Sequence, residues 1–212
     1  VIRISGPETK NIVSNFINLN IHCRDRLNDL NYVIYEHDHK YVKSRNPAVY
    51  KDFKAGISEI VNYHFYKNAR AVLCQSEFHK SIVEKNLNLT NIVNLGGNLW
   101  SLETLEYIRK ISKNNKTDTC AILKSATPHK NTQGAIDYCI QNNLKYNLLS
   151  NPNYEKFLES ISTNEKFVFL PQSPETLSRI VVEARMLGCA VATSSLVGAT
   201  SEDWFKLKGE EL

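Results

Sequence analysis

Between Lys166 and Phe205 the chain reads KFVFLPQSPETLSRIVVEARMLGCAVATSSLVGATSEDWF, and the spacing of its apolar residues changes character twice. Lys166 to Leu170 is a short apolar run of strand type that stops at Pro171. From Thr176 to Leu187 the apolar residues Leu177, Ile180, Val181, Ala184 and Leu187 fall at helical spacing, and Gly188 closes the helix. Cys189 to Thr193 resumes as a strand. Strand, turn, helix and strand in that order form a βαβ unit, which commits this part of the chain to a parallel sheet with ligands at the carboxyl ends of its strands. The turn from Ser173 to Ser178 belongs at that edge. There the backbone N–H groups of Thr176, Leu177 and Ser178 are expected to open a helix, an arrangement suited to a phosphate group.

Glu175 and Glu183 stand on either side of seven residues. One is placed at the mouth of the turn, the other two turns down the helix on nearly the same face. An acidic residue ahead of a helix is commonly a cap, and a glutamate within one is commonly solvated. Glu183, however, lies inside IVVEARML, where a carboxylate is costly unless hydrogen-bonded. Both carboxylates could address one elongated ligand.

The segment PETLSRIVVEARMLGCAVATSSLVGA resembles the donor-binding segment of retaining glycosyltransferases of the GT-B architecture, whose signature is E-x7-E ahead of a strand of small residues. The resemblance implies that Glu175 lies beside the transferred sugar and that Glu183 holds the ribose hydroxyls of the nucleotide. It places the diphosphate on the amides of Thr176, Leu177 and Ser178. Here the sequence departs from the family, with Thr-Leu-Ser where a glycine-bearing turn is usual.

With 212 residues the chain has room for one large or two small α/β domains with a real core. No run approaches the roughly 18 apolar residues of a membrane span and no signal peptide is visible. Cys23, Cys74, Cys120, Cys139 and Cys189 are dispersed without a CxxC pair, as expected of reduced, mostly buried thiols in a cytoplasmic protein. The net charge of +4 is compatible with an anionic donor or with DNA and selects neither. Val1 to Ile4 reads as a strand already inside a fold. The resemblance therefore implies α/β, two Rossmann-like domains of GT-B type, with the N-terminal one incomplete. Residues 1–112 form the acceptor-side domain and 113–212 the nucleotide-sugar domain, divided at the polar run Lys113 to Lys116.

In chain order, Ser5-Gly6-Pro7 is a turn into a helix from about Glu8 to Leu19, followed by a poorly patterned link. Tyr32 to Tyr35 is a strand that ends abruptly in Glu36-His37-Asp38-His39, and a strand ending in ionisable groups is where an α/β protein keeps its chemistry. Metal binding, ordinary loop hydrogen bonding and acceptor-side catalysis all remain open for this cluster. No metal is called for, since partners at ligand spacing are missing elsewhere. His37-Asp38 resembles the His-Asp element of GT-B glycosyltransferases, including phage α-glucosyltransferases that modify hydroxymethylcytosine in DNA. Lys40 to Lys54 interleaves basic and aromatic residues, which suits a nucleic-acid or glycan acceptor and suits a solvated loop as well.

Ile57 to Lys67 is expected as a helix, Ala71 to Cys74 as a strand, Glu77 to Asn86 as a helix capped by Ser76, and Ile92 to Leu95 as a strand. AVLCQSEFHKSIVEKNL followed by NIVNLGGN resembles the end of the GT-B N-terminal domain, which implies a donor-side role for Gly97 and Asn98. Leu99 to Ser112 is a helix and Thr119 to Lys124 a strand. The loop SATPHKNT then matches the family's phosphate loop, with Lys130 at the donor-phosphate lysine and Ser125 at the position of the family's arginine. Lys124 beside it is a less rigid substitute. A lysine at a helix start is slightly disfavoured by the dipole, a misfit that an anionic ligand would relieve. Helices are expected over Thr132 to Asn142 and Tyr154 to Ser162, with a strand over Tyr146 to Leu149.

The resemblance thus implies transfer of a sugar from a UDP- or GDP-sugar to a hydroxyl acceptor, either hydroxymethyl-pyrimidine DNA or a glycan or lipid-linked sugar, without cofactor. A nucleotide-sugar epimerase of the same fold and a non-catalytic Rossmann-like binding module are the rival readings.

Overall fold

The computed structural model describes residues 10–212. The strand expected over Val1 to Ile4 and the turn after it lie outside the described residues. The chain divides into two compact units, the first ending at Gly97 and the second running from Asn98 to Leu212.

The first unit holds a parallel four-stranded sheet ordered β1 (Asn11–Val13), β2 (Tyr32–Tyr35), β3 (Val72–Cys74), β4 (Ile92–Asn94). Its helices are α1 (Ile21–Asn28), α2 (Tyr63–Asn68) and α3 (Glu77–Leu87). The helix expected from Glu8 to Leu19 is replaced, where described, by β1. Ile12 and Val13 are β-branched, and the register Ile12 with Val33 and Val13 with Ile34 gives this segment ladder bonds that an isolated helix could not match. The link after it holds α1, capped by Asn20 on the Cys23 amide. The helix expected over Ile57 to Lys67 is broken: a short 3-10 turn covers Ile57–Glu59, Ile60 bridges to Val42, Asn62 is left-handed, and only Tyr63–Asn68 is α-helical. Ile57 is 93% exposed, so no apolar stripe spans the whole segment. Phe16, Ile34, Tyr41, Tyr66 and Val72 form the centre of the core.

The second unit begins with α4 (Leu102–Ile111), capped by Ser101, and continues β5 (Thr117–Leu123), α5 (Thr132–Gln141), β6 (Tyr146–Leu149), α6 (Tyr154–Ser162), β7 (Asn164–Phe169), α7 (Arg179–Met186) and β8 (Ala190–Thr193). The sheet is parallel, ordered β6-β5-β7-β8. Ile108 and Ile111 of α4 are buried with Leu158, Phe167, Val181 and Leu187. The boundary therefore falls after Gly97 rather than near Ser112: the apolar face of α4 is spent on α6 and α7, which moves this helix into the second unit. The five cysteines are free, and four are buried.

Candidate nucleotide-sugar site

In the second unit the chain runs from β5 outward to β6 on one side and from β7 outward to β8 on the other, so the loops after β5 and β7 flank a topological switch point. Those loops are tied together. Asn131 donates through Nδ2 to the Leu170 carbonyl at 2.8 Å, and the Gln172 amide donates to the His129 carbonyl at 2.9 Å. Across them Lys130 Nζ donates to Glu175 Oε1 at 2.7 Å and sits 5.7 Å from the centre of the Phe169 ring. The structure thus brings together two residues 45 positions apart in sequence. Lys124 is exposed just past β5, and the Ser125 amide is bound by Thr132 Oγ1 at 3.0 Å.

The turn ahead of α7 differs from the helical start read from the sequence. Glu175 forms a parallel bridge with Val197, its amide donating to Leu196 and its carbonyl accepting from Gly198, and the Leu177 carbonyl accepts from Ala199. Leu177 is in the core, Ser178 has a φ of 69°, and the helix begins only at Arg179. Bonds to the loop after β8 outweigh helical propensity here. Thr176, Leu177 and Ser178 therefore belong to a strapped turn, not to the first turn of the helix.

Glu183 lies one helical turn beyond Arg179 with only 4% of its side chain exposed. Its Oε1 accepts from Trp100 Nε1 at 2.9 Å, Tyr154 OH at 2.7 Å and Arg179 Nε at 3.4 Å, while the Arg179 guanidinium stands 5.0 Å over the Trp100 ring. This resolves the difficulty of a carboxylate in an apolar stretch: it is surrounded by donors. Trp100, Tyr154 and Arg179 escaped the sequence reading. Only Arg179 left a signal, its i,i+4 spacing to Glu183.

In the first unit His37 and Asp38 follow β2 at the carboxyl edge. Glu36 Oε1 receives both of their amides, at 2.9 and 2.8 Å, together with Lys40 Nζ at 2.8 Å, and Glu36 Oε2 receives the Tyr66 hydroxyl. Burial pushes the Glu36 carboxyl up, but Lys40, His79 and the hydrogen bonds outweigh it and hold the group below its ordinary range. Burial lowers the His37 imidazole, Lys40 adds to that, and Glu36 opposes it. Arg45 pairs with the Asp38 carboxylate. Lys40, Tyr41 and Val42 are wholly buried, which removes the start of the basic and aromatic stretch from any acceptor surface. Lys43, Arg45, Lys51 and Lys54 remain exposed. The Asn98 side chain accepts from the Leu99 amide at 2.7 Å, and Gly97 has open space where a Cβ would stand. Among the described residues no cluster of three or more His, Cys, Asp or Glu stands ready for a metal, and no helix is long and apolar enough to cross a membrane.

Two parallel-sheet Rossmann-like units define an α/β fold of GT-B type. Among solved structures, Anabaena HepE in complex with UDP-glucose is similar over 84% of this chain with a TM-score of 0.50 at 14% identity. The apo structure of OtsA matches 84% at 0.52 and 7% identity, and an α,α-trehalose-phosphate synthase (UDP-forming) from Burkholderia vietnamiensis matches 90% at 0.52 and 9% identity. The likeness is one of fold, and the chain spans 57%, 56% and 58% of those proteins. No family model and no curated protein matches the sequence.

Proposed function

We propose that the chain serves a retaining glycosyltransferase that moves a sugar from a nucleotide diphosphate sugar to a hydroxyl acceptor. The observation that carries this reading is the Lys130–Glu175 pair spanning the two loops at the β5–β7 switch point, with the Glu183 carboxylate buried on the helix that follows. Lys130 offsets the charge that develops on the departing diphosphate, which is electrostatic stabilisation of the transition state, while the amides of residues 176–178, in a strapped turn ahead of the helix, lack the helix N-terminus that the sequence reading gave them. When Lys130 turns to the diphosphate, the Glu175 carboxylate is released toward the sugar hydroxyls. Lys124 and Ser125 stand on the phosphate side, and Glu183 takes the ribose.

His37 and Asp38 of the first unit, on a loop held by Glu36, are read as acceptor-orienting residues, and Gly97 and Asn98, where the first unit ends and the second begins, as donor-side residues. HepE, solved with UDP-glucose, supports a UDP-sugar as the first donor to try, with a GDP-sugar as the alternative. The acceptor is hydroxymethyl-pyrimidine DNA, or else a glycan or lipid-linked sugar.

Calorimetric titration with UDP, GDP and ADP tests the donor site. Micromolar binding of one nucleotide, weakened at least about ten-fold in Glu183→Ala through loss of a charge-assisted hydrogen bond, is the expected result. Absence of binding to all three sinks the reading and leaves a Rossmann-like binding module. Conversion of a donor sugar with no acceptor present would assign the epimerase instead.

A further inference from the structure

The Glu183 carboxylate is engaged unevenly. All three of its protein donors converge on Oε1, and no described residue donates a hydrogen bond to Oε2. A carboxylate oxygen offers about two lone-pair directions, so Oε1 is saturated and Oε2 is left for a donor from outside the protein. The three donors come from separate parts of the unit: Trp100 ahead of α4, Tyr154 at the start of α6 and Arg179 at the start of α7. Trp100 and Arg179 also hold each other, cation over ring. Three donors on one oxygen fix the rotamer of the carboxylate and the direction in which the other oxygen points.

We propose that Trp100, Tyr154 and Arg179 are positioning residues that aim Glu183 Oε2 at the vicinal hydroxyls of a ribose, so that the site selects ribonucleoside over 2′-deoxyribonucleoside diphosphates; this holds only if the donor site is the one proposed above. A single oxygen with two lone pairs accepts from both hydroxyls of a cis-diol. Removing one hydroxyl leaves a lone pair of a nearly buried carboxylate unmatched, a larger loss than a surface hydrogen bond would give. Burial, with the hydrogen bond to Glu183 behind it, pushes the Tyr154 phenol up to about 12, so it stays a donor throughout the neutral range. Tyr154 is itself 42% exposed, so Tyr154→Phe removes the donor without opening the core.

The test uses the full chain carrying Trp204→Phe, which leaves Trp100 as the sole tryptophan of the two. UDP, GDP and ADP and their 2′-deoxy counterparts are titrated by calorimetry and by Trp100 fluorescence. The expected result is a ribo-to-deoxy preference of about ten-fold or more that falls in Tyr154→Phe, the ribonucleotide losing more affinity than the deoxynucleotide. Trp100 emission should move more with the ribonucleotide than with its deoxy form. Trp100→Phe, read by calorimetry with Trp204 in place, should show the same fall. A parent that binds nucleotide without ribose preference, or variants that keep the parent's preference, would overturn the positioning role and leave the donor site standing. A parent that binds none of the nucleotides would overturn both.

Discussion

Lys40 and Glu36 form an ion pair wholly removed from water, directly beneath the amides of His37 and Asp38. Removing one partner of a buried pair strands the other charge. Lys40→Met is therefore expected to destabilise the first unit by about 3–5 kcal/mol in urea unfolding. Lys40→Met combined with Glu36→Gln should recover part of that loss, and a double variant worse than the single one would show that the pair is not the cause. Two imidazoles lie nearby. His39 and His79 pack edge to face at 5.0 Å, and the Nε2 of each has no hydrogen-bond partner. Burial lowers His39 to about 4, with Glu36 opposing and Lys40 adding, and burial lowers His79 strongly, with His39, Lys40 and His37 adding and Glu36 opposing.

Both histidines are neutral in the folded state, and in the unfolded chain both protonate near 6.5. Between about pH 6.5 and 4 the unfolded state thus binds more protons, and stability falls as pH falls, by about 1.4 kcal/mol per pH unit for each proton taken up. The depressed Glu36 carboxyl acts in the same direction at lower pH. Urea midpoints at pH 7.5 and 5.5 should differ in the parent and differ less in His39→Gln/His79→Gln; an equal drop in both would refute the assignment. At this scale Glu183 was legible, because a carboxylate in an apolar run demands donors. The donors themselves were not, since Trp100 and Tyr154 stand 83 and 29 positions away.

Elements with a clean apolar period and a strong cap were readable: α3 under Ser76, α6 over Tyr154–Ser162, and the strands β2, β3, β4 and β6. Those that failed were decided by contacts distant in sequence. The start of α7 is delayed by the Glu175–Val197 bridge, and β1 exists because β2 lies beside it. Helix α5 offers a test of how such ties bind an element to the site. Its cap, Asn131, is left-handed, accepts from the Gly134 amide at 3.2 Å and also holds the Leu170 carbonyl. A Cβ at Gly134 would stand 2.3 Å from Asn131 Nδ2. Gly134→Ala should gain about 1 kcal/mol of helix propensity but lose the cap and the Leu170 bond, for a net loss of about 1 kcal/mol. Nucleotide affinity should fall with it. A raised thermal midpoint with unchanged nucleotide binding would show that Asn131 moves aside without consequence.

At the scale of the molecule, each unit carries its own core and its own set of chemically equipped loops at the carboxyl edge of a parallel sheet. If the acceptor is DNA, the exposed cations after β2 should contribute to it. Lys51→Glu/Lys54→Glu is then expected to weaken DNA binding, to reduce the dependence of log affinity on log salt by about two, and to leave nucleotide affinity unchanged; no change in DNA binding would favour a glycan acceptor. What the sequence by itself determined is the alternation of strands and helices and the parallel sheet of the second half, because apolar spacing and caps act over a few residues. Only the tertiary structure decided the place of α4, the strapped turn at residues 175–178, the burial of Lys40 and the donors around Glu183. Each of these depends on which distant surfaces pack together, and packing matches shape and hydrogen bonds that no local pattern encodes.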